Sequence, residues 1–217
     1  MYSVAEENYI KSIYHLQRQN QNVTTNELSV RLHTKPASVT DMVKKLQAKK
    51  LLTYEKYYGC RLTAAGNRVA LTIIRRHRLW EYFLSEKLGF GWEEVHEIAE
   101  QLEHVKSDLL TEKLDAFLGY PRFDPHGDPI PDGMGKMEKP AHTLLSAWPV
   151  GKKGILSAVV SQNESLLEML KQKSLAIGTK LKVRQIFSFD KSVEVELADG
   201  TVVTLSEQLS NNLFIKS

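Results

Sequence analysis

Along the first 65 positions apolar residues recur at two different spacings. From Ala5 to Gln19, Tyr9, Ile10, Ile13, Tyr14 and Leu16 fall at helical intervals, and the polar run Asn20 to Asn22 stops the pattern, so a first amphipathic helix is expected. Thr24 or Thr25 can cap a short second helix carrying Leu28, Val30 and Leu32. After His33 and Thr34 a third helix is expected from about Pro36 to Lys49, with Val39, Met42, Val43 and Leu46 as its buried stripe. Pro36 suits the first turn, where a missing N–H costs nothing. Leu51 to Tyr57 and Cys60 to Thr63, rich in Tyr, Thr and Leu, predict two short strands joined across Tyr58-Gly59. Three helices followed by a hairpin make a winged helix-turn-helix.

Helical patterning resumes from Ala64 to Leu88 and from Trp92 to Leu118, interrupted by Gly89-Phe90-Gly91, with apolar positions on more than one face. That pattern suits a helical dimerisation and sensor region. Pro121, Pro125, Pro129 and Pro131 lie among Gly and Asp between Gly119 and Pro140, which predicts a loop and linker. Farther on, Leu166 to Leu170 belongs to a short helix. Lys180 to Phe187, Ser192 to Leu197, Thr201 to Leu205 and Leu213 to Lys216 alternate as strands around Asp199-Gly200, predicting a small β-barrel. The fold class is therefore mainly α with α+β parts. The expected domains are residues 1–63 (winged helix-turn-helix), 64–140 (helical region and linker) and 141–217 (barrel).

The net charge of +3 conceals an asymmetry: residues 1–75 hold 12 Lys/Arg against 5 Asp/Glu, and the remainder 17 against 21. A basic winged helix suits a polyanion, and no run of about 18 apolar residues or signal-peptide pattern appears, so the expectation is a cytoplasmic protein with no membrane partner. The lone cysteine, Cys60, excludes an internal disulfide and a zinc site of paired cysteines, so any metal chemistry uses nitrogen and oxygen ligands.

Two constellations carry chemistry. The third helix presents Lys35, Pro36, Ala37, Ser38, Thr40, Asp41 and Lys44 near its start, where small hydroxyl side chains can approach bases, while Lys44, Lys45, Lys49 and Arg61 can meet phosphates of double-stranded DNA. The second is denser. His77 and Glu81 are one turn apart on one predicted helix, and His96, Glu100, Glu103 and His104 follow at offsets of four, three and one on the next, so two helices can converge ligands on a cation. Clustered carboxylates and imidazoles can also activate water, but no nucleophile motif or phosphate loop accompanies them, and the chain is not expected to be an enzyme. A rival reading has Trp80, Tyr82, Phe83 and Trp92 lining a pocket for a small organic ligand, with the His/Glu cluster structural, although those aromatics sit at core spacing. His15, His33 and His142 lie outside both constellations.

RRHRLWEYFLSEKLGF (Arg75 to Phe90) followed by VHEIAEQLEHVKSD (Val95 to Asp108) resembles the metal-binding helices of the diphtheria toxin repressor family. AEENYIKSIY resembles its first helix, YPRFDPHGDPIP (Tyr120 to Pro131) the segment after its dimerisation helices, and the C-terminal region its SH3-like, FeoA-like module. The resemblance implies a homodimeric repressor of metal-uptake genes, holding two metal ions per subunit, manganese or alternatively ferrous iron. His77, Glu100, Glu103 and His104 would form one site with a group near Glu7 or Asn8. Glu81 and His96, with His77 as a further candidate, would contribute to the other, completed either by Asp124 and His126 or by a residue near Gln162 to Glu164.

Four positions depart from relatives. Glu100 stands where iron-sensing members carry a cysteine, and Asp124 where some streptococcal-type relatives do; carboxylate in place of thiolate favours a hard ion such as manganese. Asn8 stands where relatives supply a carboxylate or thioether. Lys11 replaces a glutamate that in some manganese sensors helps hold a second ion, which speaks against a paired-metal cluster.

Overall fold

The computed structural model describes residues 2–18, 22–92, 94–139, 142–160 and 163–217. They form two compact units, Met1–His77 with Glu100–Ala116 and Pro131–Lys136, and Arg78–Ala99 with Phe117–Ile130 and Met137–Ser217.

The first unit opens with α1 (Val4–Gln17), α2 (Thr25–Arg31) and α3 (Pro36–Ala48), then β1 (Leu52–Glu55) and β2 (Gly59–Leu62) as an antiparallel hairpin. Both early helices start on capping boxes. The Ser3 hydroxyl accepts from Glu6 N–H and the Glu6 carboxylate accepts from Ser3 N–H; Thr24 and Glu27 repeat the exchange. Ile10, Ile13, Leu28, Val39, Val43 and Leu46 have no exposed surface and form the core with the hairpin's Leu52 and Leu62. Truncating one of these large aliphatics to Ala costs about 2–5 kcal/mol. Met42, expected in the buried stripe, is half-buried, and Val30 is exposed. The wing is held from below by Val23, which exchanges backbone hydrogen bonds of 2.9 and 2.8 Å with Cys60. Gly59 permits this approach, because at its φ of +98° a Cβ would lie 2.5 Å from the Val23 carbonyl oxygen.

Helix α4 (Ala64–Leu88) begins in the first unit and continues into the second. The expected helix from Trp92 to Leu118 is two helices, α5 (Val95–Leu102) and α6 (Asp108–Phe117). Between them the backbone leaves the helix at Glu103, and Ser107 starts α6 anew, its hydroxyl accepting from Leu110 N–H.

The second unit's sheet is antiparallel in the order β3-β8-β4-β5-β6-β7, from β3 (Thr143–Leu144), β4 (Lys153–Val159), β5 (Lys180–Ile186), β6 (Val193–Leu197), β7 (Val202–Leu205) and β8 (Leu213–Lys216). With α7 (Glu164–Gln172) and α8 (Glu207–Ser210) it encloses a core around Leu156, Leu170, Val183, Val195 and Ile215. The central strand β4 was not expected. Segment 120–139 contains no helix or longer strand, as expected of a loop, yet it is closely held: Gly127, at φ +84°, passes so near β4 that a Cβ would meet the Ser157 carbonyl oxygen at 2.0 Å. Among the described residues no helix is long and apolar enough to cross a membrane.

Candidate metal centre

Four successive polar residues of α4, Arg75 to Arg78, are largely buried, because a helix turns about 100° per residue and aims each at a different partner. Arg75 donates to Asp115 (2.6 Å) and to the Pro131 carbonyl (2.8 Å). Arg76 lies 3.5 Å from Glu7, and His77 Nδ1 lies 2.7 Å from Glu103 Oε2. Arg78 reaches Asp124 (3.4 Å), Asp128 (3.3 Å) and the Pro129 carbonyl (2.5 Å).

In the first unit, Glu7 from α1 joins His104 at 2.7 Å between Oε2 and Nδ1, and His104 Nε2 is 3.7 Å from Glu103. Glu100, Glu103 and His77 offer ligand atoms within 4.8 Å of one another. Glu103 is fully buried. Burial opposes its ionisation, but His77 and Lys11 outweigh that and hold its pKa below the ordinary value. The Asn8 Oδ1 atom is buried without a hydrogen-bond partner. Glu103 and His104 were expected on one helix with His96 and Glu100; they lie instead just past the end of α5, in the turn.

In the second unit, Glu81, Asp124 and His126, all buried, offer ligand atoms within 4.8 Å, and His96 Nδ1 lies 3.1 Å from Glu81 Oε1. The DPHG segment forms a tight turn in which Asp124 Oδ1 accepts from His126 N–H and Asp128 N–H, both at 2.9 Å. The Trp92 carbonyl lies 2.6 Å from His126 Nε2 and so fixes the proton there. That leaves His126 Nδ1, buried and without a hydrogen-bond partner, 3.7 Å from Glu81 Oε1. Backbone orientation of the far ring nitrogen is what a metal-ligating imidazole needs. Burial, then the charges of Glu81 and Asp128, push the Asp124 carboxyl up to about 8. Burial lowers the His126 pKa, but Glu81 and Asp124 outweigh it and leave it raised. The cluster thus wants a further positive charge, a proton or a cation, and its donors suit a hard divalent ion. Of the alternatives for completing this cluster, Gln162 and the side chain of Glu164 lie outside the described residues.

Sequence reasoning did not give roles to Arg78, Asp128 or the Trp92 carbonyl, and it read Lys11 only as a replacement that speaks against a paired-metal cluster. The ion pairing of Lys11 could have been found from its position one turn after Glu7 on α1.

On α3, Lys35, Pro36, Ala37, Ser38, Asp41, Lys44 and Lys45 are exposed, as is Arg61 on β2; Thr40 is half-buried, its hydroxyl donating to the Pro36 carbonyl at 3.0 Å. Lys45 and Lys49 both reach Glu6, at 3.1 and 2.6 Å, and with burial opposing them they still bring its carboxyl down to about 2.

A winged head beside clustered carboxylates and imidazoles defines a metal-responsive DNA-binding regulator, and known proteins agree. Residues 1–60 match the iron dependent repressor N-terminal DNA binding domain, 63–132 the iron dependent repressor metal binding and dimerisation domain, and 143–217 the FeoA domain. The diphtheria toxin repressor of Corynebacterium jeikeium is 33% identical over 162 residues, 75% of this chain and 67% of that protein. The HTH-type transcriptional regulator MntR of Oceanobacillus iheyensis is 33% identical over 118 residues, 54% of this chain and 80% of its own. A solved manganese-dependent transcriptional repressor in complex with manganese superposes with a TM-score of 0.85 at 32% identity, covering 98% of this chain and 99% of that one. The chain belongs to the diphtheria toxin repressor family of metal-dependent transcriptional repressors, which are not enzymes.

Proposed function

We propose that this repressor is a cytoplasmic homodimer that binds operators of metal-uptake genes when loaded with Mn(II), Fe(II) being the alternative. His77, Glu100, Glu103 and His104, with Glu7 or Asn8, would hold one ion; Glu81, His96, Asp124 and His126 would hold the other. Residues 1–63 would be the DNA-binding head, 64–140 the dimerisation and metal-binding part, and 141–217 the SH3-like domain. Lys35, Pro36, Ala37, Ser38, Thr40 and Asp41 would face the bases, and Lys44, Lys45 and Arg61 the phosphates.

The observation that carries this reading is the meeting of Glu7 with His104 at 2.7 Å, while Glu103 beside it holds His77 at 2.7 Å. Glu7 and Glu103 would help hold a divalent ion, whose positive charge would offset their carboxylates, so α1, and the head packed on it, would be tied to α4 and to the turn after α5. Ion binding and DNA binding favour the same tied state and therefore strengthen each other. Carboxylate in place of thiolate at Glu100 and Asp124 supports manganese. The test is fluorescence anisotropy on DNA upstream of the protein's own or a neighbouring metal-transporter gene, in chelator, Mn(II), Fe(II) or Zn(II). Binding that needs Mn(II) is expected; equal affinity in chelator would overturn the proposal.

A further inference from the structure

Lys11 lies on α1 one turn beyond Glu7, and its side chain is only 12% exposed. Its ammonium lies 2.5 Å from Glu100 Oε1 and 2.7 Å from each carboxylate oxygen of Glu103. These are short, charge-assisted contacts to three carboxylate oxygens at once. Glu103 is fully buried, and its Oε2 also meets His77 Nδ1 at 2.7 Å. A buried carboxylate with nothing but an imidazole beside it would pay heavily for its charge; Lys11 removes most of that cost.

A metal ion ligated by oxygens of Glu100 and Glu103 would need those same lone pairs at about 2.0–2.6 Å, the range for hard divalent cations. The ammonium stands at nearly that distance from three of those oxygens, and two cations cannot share so small a space without strong repulsion. Lysine can leave: its charge sits on a flexible four-carbon stem, unlike the planar fork of arginine.

Resting on the metal reading above, we infer that the Lys11 ammonium is the resident cation of this cluster in the metal-free protein, and that a divalent ion binds only by displacing it. Lys11 thereby sets the metal threshold of the repressor. It also keeps α1 partly held when no metal is present, through a single charge and two carboxylates, so the empty cluster does not fly apart by self-repulsion. A bound ion would replace the Lys11 tie and reinforce the Glu7–His104 contact that is already present.

The test compares wild type with Lys11→Met, Lys11→Gln and Lys11→Arg in the full-length protein. Two readouts are taken: Mn(II) affinity by calorimetric titration, and melting temperature in chelator and at saturating Mn(II). Removing a competing cation should tighten Mn(II) binding of the Met and Gln variants by about tenfold, within the usual range for coupled binding events. Both variants should melt below wild type in chelator and recover at saturating Mn(II). The Arg variant, still charged and better anchored, should bind Mn(II) no more tightly than wild type. If Lys11→Met folds too poorly in chelator to titrate, Lys11→Gln, which keeps a hydrogen-bond donor, carries the comparison. Wild-type and variant proteins binding Mn(II) with equal affinity would overturn the inference while leaving the metal reading intact. Absence of Mn(II) binding in wild type and variants alike would overturn both.

Discussion

Glu7 on the first helix and His104, 97 residues later in the turn after α5, meet through a 2.7 Å contact between Oε2 and Nδ1. The contact connects the helix that supports the DNA-reading head with the cluster around Glu103. The other Glu7 oxygen lies 3.5 Å from Arg76 and 3.6 Å from Lys106, so the carboxylate is surrounded by positive groups even though it is buried. Replacing Glu7 with Gln, or His104 with Ala, should raise the Mn(II) concentration needed for DNA binding at least about 10–100-fold, the loss typical of even an outer partner of a metal ligand. Anisotropy against Mn(II) concentration measures it, with circular dichroism checking that the head is folded.

The second cluster makes a separate prediction. Asp124→Asn should lower the Mn(II) bound at saturation by one ion per chain, read by equilibrium dialysis, while leaving the Glu103 cluster able to bind.

Asp124 also predicts how metal-free stability depends on pH. Its carboxyl sits at about 8 in the folded protein against an ordinary 3.8, so the fold favours the protonated form. The contribution is fully present below the ordinary value and is lost as pH rises towards about 8, because folding must then keep a proton that the unfolded chain has released. In chelator, wild type should lose stability over that window and Asp124→Asn should lose less. Parallel melting curves for the two proteins from pH 4 to pH 8, on the scale of these ordinary and shifted values, would refute this assignment.

At the proposed DNA face, charge and shape should separate by salt. Lys44→Ala and Arg61→Ala remove exposed cations, so each should reduce the slope of log affinity against log salt by about 1 without changing sequence preference. Ser38→Ala removes no charge and should alter preference among operator variants instead. Competition binding across a salt series distinguishes the two.

Glu6 predicts a structural effect near the same face. One oxygen caps Ser3 N–H and the other meets Lys49 and Lys45, so Glu6→Gln should destabilise the head by about 1 kcal/mol, the usual worth of a helix cap. Chemical denaturation at neutral pH measures it.

The head was legible in the sequence because its signals are local: Thr24 caps α2, Pro36 opens α3, and the apolar period places Val39, Val43 and Leu46 inward. The DPHG turn was legible through its Asp and Gly, and it brings Asp124 and His126 to Glu81, one of the two completions weighed from the sequence. What escaped was tertiary. Strand β4 carries Gly154 at a buried position, where the Ile215 side chain fills the space a Cβ would need, and a buried glycine reads locally as a turn. The break between α5 and α6 contains no Gly or Pro. Glu103 and His104 leave the helix where they meet Lys11, His77 and Glu7, partners far away in the sequence. Lys11 was legible only as a replacement for a glutamate of some manganese sensors; its contacts with two carboxylates came from the fold.

The proposed metal latch requires a cation that ties α1 to Glu103 and His104, and amide hydrogen exchange in α1 addresses that directly. Exchange in residues 4–17 is compared in chelator and with saturating Mn(II), in wild type and in Glu103→Ala. Slower exchange with Mn(II) in wild type, with little or no change in Glu103→Ala, is the expected result. Equal protection of wild-type α1 in both conditions, while Mn(II) is demonstrably bound, would contradict it.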